Sequence, residues 1–194
     1  LIQLKTTNEC VFIRGNHDVL VLDWLTGNNK NINKEMWFMH GGEATAVAYD
    51  NVNKTTRNIH INFLQNLEDY HLDESNRLFI HAGFTNMNGI DYEYFPKLFY
   101  WDRTLWETAL ALDKNLKTDH PYYPKRFTLY HEIYIGHTPV TRIGTTIRVK
   151  MANVWNVDTG AAFKGPLTIL DIDTKEFWQS EPLPNLYPIE KGRN

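Results

Sequence analysis

The chain has 194 residues, enough for one domain with a sizeable core, and its 42% apolar and 22% charged residues exclude a disordered polymer. A formal net charge of −3 excludes a global basic field for nucleic acid, and no run of about 18 apolar residues is present to span a membrane. Cys10 is the only cysteine, which excludes an intramolecular disulfide and points to a reducing, cytoplasmic compartment.

The sequence opens LIQLKTTNEC, without an initiator Met or a signal-peptide pattern, and is read as the middle of something longer. Residues 10–14 (CVFIR) are expected to form a short buried strand that bends at Gly15, with Cys10 packed inside it. Asp18 is expected to cap a helix reaching about Leu25, stopped by Gly27 and Asn28. Further helices are expected over residues 34–39, broken at Gly41-Gly42, and over 43–49. In residues 57–69, Ile61, Phe63, Leu64 and Leu67 share one helical face. RLFIHAG (77–83) reads as a strand ending at His81. The stretch from Tyr94 to Leu112 is aromatic-rich, a loop followed by a helix starting near Thr104. HEIYIGHTP (131–139) reads as a strand ending at His137. TTIRVK, NVWNVD and PLTILDID follow as short strands, and ILDIDTKEFWQ as a hairpin turning near Asp173-Thr174-Lys175. The tail 181–194 is rich in Pro and polar residues and is expected on the surface. Helices early and strands late predict an α/β sandwich with an antiparallel portion, as one domain over 1–194.

VFIRGNHD, LFIHAG and IYIGHTP repeat one pattern: an apolar run, a His, and a Gly beside it. In open α/β sheets, ligands sit beyond the carboxyl ends of strands, so as neighbours these three would bring Asn16, His17, His81 and His137 to one edge. Imidazole and amide-oxygen donors suit a divalent ion such as manganese, iron or zinc. A lone His after an apolar run is most often a hydrogen-bonded or surface residue. The weight lies in the repetition. His40, His60, His71, His120 and His131 have no such setting and are read as structural or exposed. Asp158, between a strand and Thr159-Gly160, is read as an Asx-turn, with orientation of a ligand His as the other reading.

GNHD, HAG and GHTP, in this order and at these intervals, resemble the phosphoprotein phosphatase family of calcineurin-like metallophosphoesterases, and most of all its bacterial Ser/Thr phosphatase branch. Other pieces agree: Arg14 before GNHD, the W-x3-GG-x2-T-x3-Y stretch from Trp37 to Tyr49, FLQNL, YWDR at 100–103, and NVDTGAAFKGPLTILDID. The resemblance spans nearly all of residues 10–173. It implies a β-sandwich flanked by helices in α/β/β/α layers, with N-terminal strands missing from this chain. It also implies hydrolysis of phosphate monoesters, chiefly phosphoserine and phosphothreonine in proteins, by a metal-bridging hydroxide. Two divalent ions are the implied cofactors, Mn foremost with Fe or Zn as alternatives. Residue by residue, Asn16, His81 and His137 match side chains that hold the second metal. His17 matches the catalytic His that protonates the leaving oxygen. Arg14 matches one phosphate-clamping arginine and Arg103 the other, for which a surface salt bridge is the competing reading. Asp18 matches a Glu of many relatives and is read as a helix start rather than a ligand.

The family's Asp-x-His and Gly-Asp-x-x-Asp-Arg motifs, which supply the first metal's ligands and the bridging Asp, are absent from this chain. Residues 1–194 alone are therefore not expected to hydrolyse p-nitrophenyl phosphate, whereas an upstream-extended chain is. A preceding segment or a homo-oligomer would complete the site. Two other functions are weighed. One is hydrolysis of nucleotide-derived substrates such as diadenosine tetraphosphate on the same metal site, with YEYFPKLFYW either stacking a base or packing core and rim. The other is a non-catalytic binding module. The expected partner is a phosphoprotein or a phosphorylated small molecule, with neither nucleic acid nor membrane involved.

Overall fold

A computed structural model describes residues 1–28 and 34–189. The chain divides into two compact units, Leu1–Asp69 and Tyr70–Asn194.

The first unit is helical: α1 (Ile2–Thr7), α2 (Asn16–Thr26), α3 (Lys34–Trp37), α4 (Glu43–Tyr49) and α5 (Lys54–Gln65). Helix α2 starts earlier than expected. Gly15 is its cap, and Asp18, in the first turn, accepts the Gly15 N–H at 2.8 Å. It stops at Gly27, which takes the left-handed conformation with φ 73°, as the sequence predicts. Helix α3 continues through a wide turn over Phe38–Gly42, with Gly41 at φ 93°. Helix α5 begins at Lys54 because Asn53 caps it, accepting the Thr56 N–H at 2.9 Å. It ends at Gln65, so the expected helical face stops short of Leu67, which is buried in the segment that follows.

CVFIR does not form the expected strand. Among the described residues its ladder contact is one parallel bridge between Ile13 and Glu68, with Glu68 N–H donating to Phe12 O (2.9 Å) and Arg14 N–H to Glu68 O (2.7 Å). Strands gain stability from pairing along their length, and this partner offers a single bridge. Val11 is accordingly exposed and Cys10 only half-buried.

The second unit is built on a five-stranded mixed sheet: β1 (Tyr70–Leu72), β2 (Arg77–Ile80), β3 (Glu132–Ile135), β4 (Val149–Met151) and β5 (Val154–Asn156), in the order β1-β2-β3-β5-β4. The central pairs β2–β3 and β3–β5 are parallel, and the two edges are antiparallel. β6 (Thr168–Leu170) and β7 (Phe177–Gln179) form the expected hairpin. Asp171 shapes its turn by accepting the N–H groups of Asp173 (2.8 Å) and Thr174 (2.9 Å), and Lys175 takes φ 65°. Among the described residues the unit adds short α-helices α6 (Leu98–Trp101), α7 (Thr104–Ala111, starting where expected) and α8 (Leu183–Leu186), besides short 3-10 turns.

Alternation along the strands gives the sheet two apolar faces. Leu78, Ile133 and Val154 lie side by side and fully buried on one. Helix α7 packs on β5 and buries Leu105, Trp106 and Ala109. The other face carries a ladder of nearly parallel rings. Phe79 and Tyr134 are 4.9 Å apart at 8°, Tyr134 and Trp155 6.3 Å apart at 7°. Lys175 of the hairpin lies over that ladder, 5.3 Å from the Tyr134 ring and 5.2 Å from the Trp155 ring. The α/β class is as expected, with a mixed sheet, a hairpin layered on it and helices flanking. Among the described residues no helix is long and apolar enough to cross a membrane.

Candidate active site

Strands β2 and β3 end side by side. His81 follows β2 directly, and His137 stands two residues beyond β3. Gly136 N–H donates to His81 O at 2.9 Å, carrying the parallel ladder past both strands. The two imidazoles meet with ring centroids 5.1 Å apart. This is the convergence that HAG and GHTP predict.

The backbone reason differs from the expected one. His137 itself takes φ 65°, and the next amide, Thr138 N–H, returns to Gly136 O at 2.7 Å. That is a three-residue turn with positive φ, a strained form for a residue bearing a side chain. The bend in GHTP thus belongs to the His, not to the Gly. In GNHD, Gly15 is extended (φ −103°, ψ 171°), and the chain turns because α2 begins.

The glycine of HAG is required by a close approach. A Cβ on Gly83 would lie 2.4 Å from Asp102 Oδ2 and 2.9 Å from Leu105 Cβ. Asp102 is buried because it starts α7, accepting Thr104 N–H (3.0 Å), Thr104 O–H (2.8 Å) and Leu105 N–H (2.9 Å). Ala82 N–H adds a bond to Phe99 O at 2.9 Å. HAG and YWDR are therefore locked together. Gly83→Ala is expected to lower stability by about 1–3 kcal/mol through overpacking, read from urea denaturation midpoints. An unchanged midpoint would mean the Asp102 contact yields freely.

This lock sets Trp101 against His137, with ring centroids 5.9 Å apart at 84°, and leaves the indole 41% exposed. Arg103, on the other side of buried Asp102, is exposed. Asp158 forms the expected Asx-turn, accepting Gly160 N–H at 3.0 Å. Asn156 is fully buried. It donates to Thr138 O (2.8 Å) and accepts Asp158 N–H (3.0 Å), so it fixes the loop that carries His137. Trp101 entered the sequence reading only as part of YWDR and YEYFPKLFYW, and Asn156 was not singled out by it. The available signal for Asn156 was an amide at an inward position of NVWNVD.

In the first unit, Asn16 and His17 are the first two residues of α2, Asn16 buried and His17 half-buried. Burial raises the pKa of Asp18 despite the Gly15 amide and the Arg14 charge. Arg14 is heavily engaged. Nη1 donates to Asp69 Oδ1 at 2.8 Å, and Nη2 to the carbonyls of Gln65 (3.1 Å) and Leu67 (2.8 Å). It braces the approach to α2 against the segment after α5.

Two neighbouring imidazoles suit one borderline divalent ion as part of its ligand set. Among the described residues, no group of three or more His, Cys, Asp or Glu side chains converges on a complete site.

No family model matches the chain. Among solved structures, the crystal structure of a candidate diadenosine tetraphosphatase aligns with a TM-score of 0.54, covering 93% of this chain and 72% of that one at 14% identity. The fold is of the metallophosphoesterase type. At that identity the likeness concerns architecture, and the metallophosphoesterase-type sheet is what puts the two histidines beyond the ends of adjacent parallel strands.

Proposed function

We propose that this chain carries part of the active site of a metal-dependent phosphoester hydrolase, residues 1–194 alone not being expected to turn over. The observation that carries the proposal is the His81–His137 pair at the carboxyl ends of β2 and β3 in a metallophosphoesterase-type fold. A divalent ion held by these imidazoles, Mn2+ being the first to test, would supply Lewis-acid polarisation of a phosphoryl oxygen and a nucleophile at neutral pH. The remaining work falls to side chains of this chain. Arg103 offers an exposed guanidinium whose fork matches two phosphate oxygens. Arg14 could do the same only by releasing Asp69 or the Gln65 and Leu67 carbonyls, so Arg103 is the stronger candidate. The sequence motifs support Asn16 as a further ligand and His17 as the donor of a proton, from its ring nitrogen, to the leaving oxygen.

Two substrate classes compete. The motifs favour phosphoserine and phosphothreonine in proteins. The exposed indole beside His137 and the fold of the candidate tetraphosphatase favour nucleotide polyphosphates. Phosphate release should be measured with Mn2+ from p-nitrophenyl phosphate, a phosphoserine peptide and diadenosine tetraphosphate, using the protein at its full natural length. Turnover that EDTA abolishes is the expected result, and the relative rates assign the class. Absence of metal-dependent release from all three would overturn the proposal.

A further inference from the structure

Resting on the hydrolase reading, we propose that Trp101 is a specificity-determining residue that stacks the base of a nucleotide-derived substrate held at His81 and His137. Three observations lead there.

The first is that the indole is only partly used for packing. Its helix buries Phe99 and Tyr100, at 6% and 7% exposure, while Trp101 next to them stays 41% exposed. Large aromatic rings are usually hidden unless they meet something else. The second is that the backbone carrying the ring is anchored on both sides. Asp102 N–H closes the α6 turn on Leu98 O at 2.9 Å, Ala82 N–H holds Phe99 O, and the Asp102 carboxylate is fixed by three donors. An anchored backbone lowers the entropic cost of presenting the ring to a flat partner.

The third is the company it keeps. Trp101 and Arg103 flank buried Asp102, so one short stretch presents an aromatic ring and a guanidinium. A planar heterocycle joined to phosphate is the ligand with both complements, and a phosphoserine peptide has only one. The preceding loop adds exposed Tyr92, Tyr94 and Phe95 at 62%, 82% and 69%. That loop is anchored, because Glu93 Oε2 accepts Thr85 N–H (2.7 Å), Thr85 O–H (3.0 Å) and Asn86 N–H (3.0 Å). Its rings therefore stay in water on a fixed backbone. A second base, as in a dinucleotide, would find further aromatic surface there.

The test is isothermal titration calorimetry of the whole protein with Mn2+, using AMP and ribose 5-phosphate, which share the sugar phosphate and differ at C1, adenine in one and a hydroxyl in the other. AMP is expected to bind about tenfold tighter or more. Trp101→Ala should erase that advantage by weakening AMP alone, and Trp101→Phe should keep most of it. Equal affinities for the two ligands in the unaltered protein would overturn the proposal and leave the hydrolase reading intact. So would an equal loss for both ligands in Trp101→Ala, which would tie the ring to the metal or phosphate end. A phosphoserine peptide weakened as much as AMP would assign the ring to general apolar contact and also overturn it. If inorganic phosphate and both ligands fail to bind and no metal-dependent phosphate release occurs, the hydrolase reading falls, and this inference with it. The comparison of AMP with ribose 5-phosphate needs no variant, so poor folding of Trp101→Ala would not protect the proposal.

Discussion

Replacing Glu132 with Gln is expected to lower folding stability by about 3 kcal/mol at neutral pH. Glu132 opens β3 and is buried, yet its carboxylate is fully occupied. Trp155 Nε1–H donates to Oε1 at 2.8 Å, and Oε2 receives Tyr134 O–H at 2.7 Å and Lys175 Nζ at 2.6 Å. Burial works against the charge, but the hydrogen bonds from Lys175, Tyr134 and Trp155 outweigh it and hold the carboxyl down at about 2 against an ordinary 4.5. The same contact acts on Tyr134, whose pKa is raised by burial and by its bond to Glu132. A depressed carboxyl pKa contributes stability that is fully present above the unfolded value. It is lost as pH falls from about 4.5 towards 2. Gln keeps the shape but leaves Lys175 without its counterion. Urea denaturation of both proteins should show a wide gap at pH 7 that narrows below about pH 4.5 and closes near pH 2. A gap that does not change with pH would assign the loss to packing instead of charge.

His137→Ala is expected to weaken Mn2+ binding by about 100-fold or more and to abolish metal-dependent turnover. The melting temperature should stay close to that of the unaltered protein. The reasoning is local. His137 sits on a left-handed turn whose hydrogen bonds are made by backbone atoms of Gly136, Thr138 and His81, and Ala leaves all of them in place. His81→Ala should behave in the same way, because on the proposed reading the two neighbouring rings would share one ion. Manganese titration by calorimetry and thermal melting, read together, separate ligand loss from unfolding. If both variants bind Mn2+ as tightly as the unaltered protein, the pair is not a metal site.

What the sequence made legible was local. The β6–β7 hairpin was readable because alternation and an Asp-rich turn lie within a dozen or so residues. The Asx-turn at Asp158 and the helix stop at Gly27 are local chemistry as well. CVFIR carried a strand pattern but, among the described residues, meets its partner in a single bridge, and partners are not visible in a propensity. Strand β1, three residues with a His in the middle, has no period to detect. The glycines were seen, but their reasons were not. Gly83 answers to Asp102, and the left-handed bend of GHTP rests on His137. Arg14 was read as a phosphate clamp from its match to the family motif, and its bond to Asp69, far along the chain, has no local signal.

The distance between the two imidazoles also depends on how β3 slides along β2. A slip of two residues would keep every side chain on its own face, yet it would carry His137 about 7 Å away from His81. The chain guards against that slip at the opposite end of the strands. Asn76, left-handed at φ 58°, accepts His131 N–H through its carbonyl at 2.9 Å and donates its amide to Leu129 O at 3.0 Å. Asn153, just before β5, donates to Tyr130 O at 2.8 Å and pins the start of β3 from its other side. Two asparagines that never approach the histidines thus act as the stop of a slide rule, and the chemistry at one end is read off an alignment fixed at the other.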